Sequence, residues 1–211
     1  MQKFSKKEAL EFGWNITKNN FPLFLALIAS AFIIQFVPSF ITELLKKNHK
    51  ILWVIFGIFS WILQLIVSMG LIKISLRFVS GEKGELRDLL GNYALLWKYL
   101  AGSVLYGLIS MAGFLLLIVP GIIWSIQYQF VGYLILDQGL GPIKALKKSS
   151  EMTKGSKWNL FVFSLLMMLV VMLGFLCLIA GIFAAIPTVM IAGAFVYRKL
   201  LSQVGTEIKT A

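Results

Sequence analysis

Long apolar runs without charged residues constrain this chain more than any other feature of its sequence. They recur along its 211 residues, and the charged residues, 14% of the total, cluster between them. A soluble domain usually carries about 25% charged residues. Because a helix needs roughly 20 mostly apolar residues to cross a bilayer, the pattern predicts an all-α, polytopic membrane helical bundle. It excludes a soluble enzyme fold.

Hydropathy predicts six transmembrane helices within a single integral membrane domain, residues 1–211. These spans are expected at about residues 21–45, 51–72, 97–119, 122–136, 158–182 and 187–204. Pro38 is expected to kink or break the first span near its outer end, and Pro120-Gly121 to separate the third span from a short fourth one. Pro187 suits the first turn of the sixth span. The fourth and sixth spans are short enough to be re-entrant, so four full spans are the alternative.

The basic residues predict the topology. All but three of the 20 lysines and arginines fall on one side of these spans, and the exceptions are Lys46, Lys47 and Lys50. Because short cytoplasmic loops are enriched in Lys and Arg, both termini are expected in the cytoplasm. No ionisable residue occurs in the middle of a span, which disfavours ion-coupled transport.

Three segments on the basic side are predicted to be amphipathic helices on the membrane surface, at residues 5–19, about 85–91 and 142–154. Ser5 and Glu8 form a capping box that starts the first helix, and Pro142 opens the third one. The less polar faces of the first and third helices are expected to consist of Leu10, Trp14 and Thr17, and of Ile143, Leu146 and Ser150.

The first and third of these helices share two dipeptides at the same spacing. Ala9-Leu10 and Thr17-Lys18 recur as Ala145-Leu146 and Thr153-Lys154. This match favours a unit of one surface helix and one two-span hairpin, used three times. A chance match is the alternative.

The densest basic cluster lies in and after the third surface helix and comprises Lys144, Lys147, Lys148, Lys154 and Lys157. A Lys or Arg close to an anionic membrane surface contributes about 1 kcal/mol of attraction. We therefore predict a lipid headgroup site here, and topology enforcement with peripheral lipid contact is the alternative. Nucleic acid is not expected as a partner, because the net charge of +11 is divided among short juxtamembrane loops.

The short fourth span carries an unusual set of polar residues, Ser125, Gln127 and Gln129. Short or Pro/Gly-broken spans can line a cavity in a membrane protein. The sequence therefore predicts a polar cavity for a lipid headgroup or a small solute. Interhelical hydrogen bonding is the alternative.

Residues with catalytic or metal-binding chemistry are sparse. His49 is the only histidine and Cys177 the only cysteine, and they lie far apart along the chain. Metal sites need clustered His, Cys, Asp or Glu, and a nucleophile needs a nearby base. We therefore expect no catalytic residue, no metal and no cofactor, and we do not expect an enzyme.

Two stretches of the sequence resemble a known group of bacterial integral membrane proteins. The first contains Pro120-Gly121, Tyr128 and Asp137, and continues from Ala145 through Ser150 to Gly155 and Trp158; the second contains Glu8-Ala9-Leu10, Gly13-Trp14 and Lys18-Asn19. Both resemble the membrane domain of glycerophosphoryl diester phosphodiesterases and its stand-alone YciC-like relatives. The resemblance implies a six-helix domain in the bacterial cytoplasmic (inner) membrane with a lipid-linked role. It does not imply catalysis, which belongs to a separate soluble domain.

These observations predict a non-enzymatic membrane protein that binds or redistributes membrane lipids or other amphiphiles. Its expected partners are membrane lipids, in particular anionic ones. One alternative is an accessory or structural subunit of a membrane transport or secretion complex, which would need a membrane-protein partner. The other is a small-solute transporter.

Overall fold

The chain is all-α in the computed structural model, which describes residues 4–45, 50–91 and 93–210. No strand occurs among these residues, which confirms the predicted fold class. Two 3-10 turns, Leu86–Leu89 and Tyr93–Leu95, lie between the helices Lys50–Val79 and Leu96–Leu116. Lys46, Lys47 and His49 lie outside the described residues. The helices are α1 (Lys6–Asn19), α2 (Phe21–Leu45), α3 (Lys50–Val79), α4 (Leu96–Leu116), α5 (Ile118–Tyr128), α6 (Val131–Gln138), α7 (Pro142–Thr153), α8 (Lys157–Leu176) and α9 (Leu178–Thr210).

Six segments of the described chain are long and apolar enough to cross a membrane, as predicted. They are Phe21–Glu43, Lys50–Val79, Leu86–Leu116, Ile118–Gln138, Lys157–Leu176 and Gly181–Val204. The fourth consists of α5 followed by α6. The second span is longer than expected, because α3 continues past residue 72 through Lys73 and Arg77 to Val79.

Proline does not mark the span boundaries as the sequence suggested. Pro38 and Pro187 both lie inside continuous helices, α2 and α9. The prediction that Pro187 begins the sixth span was wrong, since α9 begins at Leu178. Each proline removes one backbone hydrogen bond, but a helix surrounded by hydrocarbon keeps its remaining bonds because no water can replace them.

The break between the third and fourth spans lies at Leu117, three positions before Pro120. Leu117 is extended, with φ −166° and ψ 156°, and it separates α4 from α5. Pro120 falls in the first turn of α5, where a missing N–H leaves no helical hydrogen bond unmade. The expectation that Pro120-Gly121 itself separates the two spans was therefore wrong.

The surface helices follow the prediction at two of the three positions. Ser5 caps α1 by accepting a hydrogen bond from the Glu8 backbone N–H at 3.2 Å, and Pro142 opens α7. The middle segment forms only the 3-10 turn Leu86–Leu89. Gly84 and Gly91 flank this segment and leave too few residues for a stable helix.

The three hairpins and the short helices form a ring, as a threefold repeat would. The hairpins consist of α2 and α3, of α4 with α5 and α6, and of α8 and α9. The 3-10 turn Leu86–Leu89 packs on α3, α7 packs on α5 and α6, and α1 packs on α9. Each short element thus contacts the second half of another hairpin, and the contact between α1 and α9 closes the ring.

The repeated dipeptides correspond to the buried faces of α1 and α7. The same positions of the repeat are buried in both helices: Ala9, Gly13 and Thr17 in α1, and Ala145, Ser149 and Thr153 in α7. Of the residues predicted for the less polar faces, Thr17 is buried, whereas Trp14 and Ile143 are exposed. Small side chains at every fourth position form these faces because they allow close approach between helices.

Candidate functional site

One end of the bundle carries α1, α7 and most of the basic residues, and we call it the basic end. At this end Gly139 ends α6 with φ 64° and Gly155 follows α7 with φ 81°. Glycine adopts such conformations without steric cost. The two glycines thus set α7 as a separate helix between α6 and α8.

The five lysines predicted to bind headgroups divide into two groups. Lys144, Lys147 and Lys154 are exposed on α7 or directly after it. The Lys148 Nζ donates to Gln138 Oε1 at 2.7 Å, and the Lys157 Nζ donates to Gln127 Oε1. Two of the five ammonium groups are thus held by glutamine side chains, and three lysines are exposed.

Gln127 is the residue that fastens α7 to α5. Its Nε2 donates to Ser150 Oγ at 2.7 Å, and its backbone carbonyl accepts from Ser149 Oγ at 2.8 Å and from Thr153 Oγ1 at 3.3 Å. With Lys157, these contacts join α5, α7 and α8 at one point. Gln127 therefore makes interhelical hydrogen bonds, which were the alternative to a polar cavity.

The other two residues of the predicted polar cavity bond within their own segment. The Ser125 hydroxyl donates to the Gly121 carbonyl at 2.8 Å, and Gln129 Nε2 donates to the Ile126 carbonyl at 3.1 Å. A polar cavity formed by Ser125, Gln127 and Gln129 stays a prediction.

An apolar groove of about 440 Å³ lies between α5 and α8. Its walls are apolar or aromatic except at Lys157, which starts α8 and therefore stands at the basic end of the groove. Trp158, 73% exposed, stands beside Lys157, and its ring centroid lies 5.4 Å from that of Phe161. The groove is lined by Val119, Ile122, Ile123, Ile126, Lys157, Trp158 and Phe161.

A second groove, of about 380 Å³, lies between α4 and α7 and has more polar walls. Lys147 and Glu151 line it from α7, and Tyr128 lines it from α5. Both grooves thus place one lysine of the predicted cluster next to apolar surface. This arrangement suits a molecule with an anionic group and an apolar chain, because the two parts contact chemically matching surfaces.

Two ion pairs lie at the basic end, one between α6 and α9 and one between α3 and the 3-10 turn Leu86–Leu89. Asp137, whose side chain is 11% exposed, accepts from Arg198 Nη1 at 2.9 Å and Nη2 at 2.8 Å. The Tyr197 hydroxyl donates to the same carboxylate at 2.8 Å. On α3, Arg77 donates to both carboxylate oxygens of Asp88 at 2.7 and 2.8 Å.

Sequence reasoning missed the Asp137–Arg198 pair, although Asp137 belongs to the resemblance motif. Asp137 and Arg198 belong to different hairpins, 61 residues apart, so no spacing along the chain predicts their contact. The only available signal was the position of each at the basic end of an apolar run. Among the described residues, no group of three or more His, Cys, Asp or Glu could hold a metal ion.

Comparison with known families gave a match over most of the chain. The family described as a protein of unknown function (DUF975) matches residues 14–204, and the chain belongs to that family. The comparisons with curated proteins and with solved structures gave no match.

Proposed function

We propose that this protein binds an anionic membrane lipid or a similar amphiphile, without catalysing a reaction. The observation that carries the proposal is the groove between α5 and α8, which has apolar walls and a lysine at its basic end. The acyl chain would lie along Ile122 and Ile126. The phosphate or carboxylate of the headgroup would lie at Lys157.

The chemistry of Lys157 supports this arrangement. Its ammonium carries three N–H donors, and one of them is used by Gln127 Oε1. The others are free for acidic oxygens of a headgroup. Lys154, exposed three residues earlier, adds a second positive charge, and Trp158 has the amphipathic ring that favours headgroup depth.

We also propose the membrane location, the orientation and the lipid-linked role expected from the sequence. The protein would lie in the bacterial cytoplasmic membrane with both termini in the cytoplasm, so that Lys154 and Lys157 meet the inner leaflet. Anionic lipids give that leaflet a negative surface potential. The lipid-linked role implied by the resemblance to the glycerophosphoryl diester phosphodiesterase membrane domain agrees with this proposal.

Native mass spectrometry of the gently extracted protein tests the proposal. We expect a defined number of retained lipids of one anionic headgroup class. Lys157→Gln should weaken binding of an added anionic lipid about fivefold, since one basic residue near the surface contributes about 1 kcal/mol. Ile122→Trp, which fills the groove, should also reduce lipid retention.

Lys83→Gln is the matched control, because Lys83 is an exposed lysine outside the groove. Equal effects of Lys157→Gln and Lys83→Gln would contradict a specific headgroup site. Retention of bulk lipid together with a stoichiometric protein would favour an accessory subunit instead.

A further inference from the structure

A groove with polar walls lies between α2 and α3, in the half of the bundle away from the basic end. Its volume is about 260 Å³. The lining residues fall at helical spacing on each helix, so a polar stripe of α2 faces a polar stripe of α3. They are Gln35, Ser39 and Thr42 of α2, and Gly57, Ser60, Trp61 and Gln64 of α3.

The groove reaches the depth of the bilayer core. With a rise of about 1.5 Å per residue, Gln64 lies about 21 Å along α3 from Lys50 and about 14 Å from Lys73. The hydrocarbon core of a bilayer is about 30 Å thick. Gln64 therefore lies near the middle of the membrane, and the groove extends from there toward Lys50.

The polar groups of the groove differ in how they are satisfied. The hydroxyls of Ser39, Thr42 and Ser60 donate to carbonyls of their own helices at 2.7 to 2.8 Å. The side-chain amides of Gln35 and Gln64 make no hydrogen bond with any of the described residues, and both side chains are exposed. An amide in hydrocarbon without a partner costs several kcal/mol.

Acyl chains, a second copy of the chain, or water could fill the groove, and its shape and chemistry favour water. Acyl chains offer no hydrogen bond. A second copy of the chain would set one concave groove against another and leave a void between them. Water fits, since a volume of this size holds about eight molecules at roughly 30 Å³ each and offers them several polar partners.

We propose that the groove between α2 and α3 is a hydrated site within the membrane that accepts uncharged hydrogen-bonding solutes. Its walls exclude an ionic ligand, because the residues that line it carry no charge. Groups with hydroxyls or amides match the donors and acceptors of Gln35 and Gln64. The site is separate from the lipid groove between α5 and α8 and does not depend on it.

Cysteine accessibility in proteoliposomes tests the proposal. In a Cys177→Ser background, Ser39→Cys and Ser60→Cys are each treated with a charged, hydrophilic thiol reagent on both sides of the membrane. The matched controls are Phe36→Cys and Phe59→Cys, which lie on the same helices outside the groove and replace exposed aromatic rings. We expect labelling at Ser39→Cys and Ser60→Cys to be at least about tenfold faster, because the reactive thiolate forms only where water reaches the thiol.

Two further measurements test whether water in the groove is the cause of fast labelling. Adding Gln64→Leu to the Ser39→Cys protein should slow labelling, because it removes an amide that holds water. Glycerol, a neutral solute with three hydroxyls, should slow labelling of Ser60→Cys when present in excess. Labelling as slow as at Phe36→Cys would overturn the proposal, and so would a disulfide between two copies at Ser39→Cys. Neither result bears on lipid binding at Lys157.

Discussion

The two halves of the bundle satisfy their polar groups in different ways. At the basic end, the Gln127 amide bonds to Ser150 and Lys157, which belong to two other helices. In the other half, the Gln35 and Gln64 amides have no bonding partner among the described residues. The same side chain is thus a structural link in one half and an unpaired group in the other.

The difference follows from where the hairpins meet. The contacts that close the ring, between α1 and α9 and between α7 and α5, are made by the short helices at the basic end. Away from that end the exposed side chains are large and apolar, as in the stacked row Phe32, Phe36 and Phe40. We infer that stability comes mainly from the basic end, while the other half is held chiefly within each hairpin.

Asp137→Asn should reduce stability more than any other variant considered, because it removes the charge that pairs with Arg198. Loss of one partner leaves a charge poorly compensated, and we expect the free energy of unfolding to fall by about 3 kcal/mol. Denaturant titration in a mild detergent, followed by tryptophan fluorescence, measures the change.

Glu8→Gln is the control for this prediction, because Glu8 pairs with Lys199, the neighbour of Arg198. That pair lies 3.1 Å apart with side chains 51% and 44% exposed. Exposed pairs contribute little, so the change should stay below about 1 kcal/mol. Similar losses for Asp137→Asn and Glu8→Gln would show that the Asp137–Arg198 pair between α6 and α9 does not stabilise the basic end.

The sequence predicted what depends on neighbours along the chain. Ser5 and Glu8 were enough to start α1, and the apolar runs were enough to identify six spans. The partners of Gln127 and Asp137 could not be predicted, because Ser150, Lys157 and Arg198 lie 23, 30 and 61 residues away along the chain. The prediction from Pro187 was wrong for a related reason. Whether a proline begins a helix or lies inside one depends on whether the surrounding hydrocarbon and packing keep the helix intact.

The repeated dipeptides of α1 and α7 also show how far the sequence predicts packing. The spacing of Ala9 and Thr17, repeated at Ala145 and Thr153, marked positions that are buried in both α1 and α7, but it did not single out Gly13 and Ser149 between them. Hydrophobicity favoured Trp14, whereas the structure buries Gly13. In a membrane the apolar residue gains nothing by facing another helix, and close packing of small residues decides the face instead.

Gly13→Ala should have the second-largest effect, because it acts on the contact that closes the ring. A Cβ atom at Gly13 would overlap the Thr188 carbonyl oxygen of α9. Since that oxygen is backbone, α1 must shift, and we expect a loss of about 2 kcal/mol in the free energy of unfolding. The same titration in detergent measures it.

Gly107→Ala is the matched control, since a Cβ atom at Gly107 in α4 would meet nothing within 4 Å. Alanine favours the helix over glycine, so this variant should be neutral or stabilised by up to about 1 kcal/mol. A loss at Gly107→Ala as large as that at Gly13→Ala would show that the close approach of α1 to Thr188 is not what makes Gly13→Ala destabilising.

A pair of glutamine variants should have the smallest effects and compares the two halves directly. Gln127→Leu removes interhelical hydrogen bonds to Ser150 and Lys157, and each such bond in a membrane contributes about 0.6 kcal/mol. We therefore expect a loss of about 1 kcal/mol. Gln64→Leu removes an amide that has no protein partner among the described residues. Because no interhelical hydrogen bond is lost, the free energy of unfolding should stay about the same. If Gln64→Leu destabilises the protein as much as Gln127→Leu does, the amide of Gln64 contributes to folding, and the two halves satisfy their glutamines in the same way.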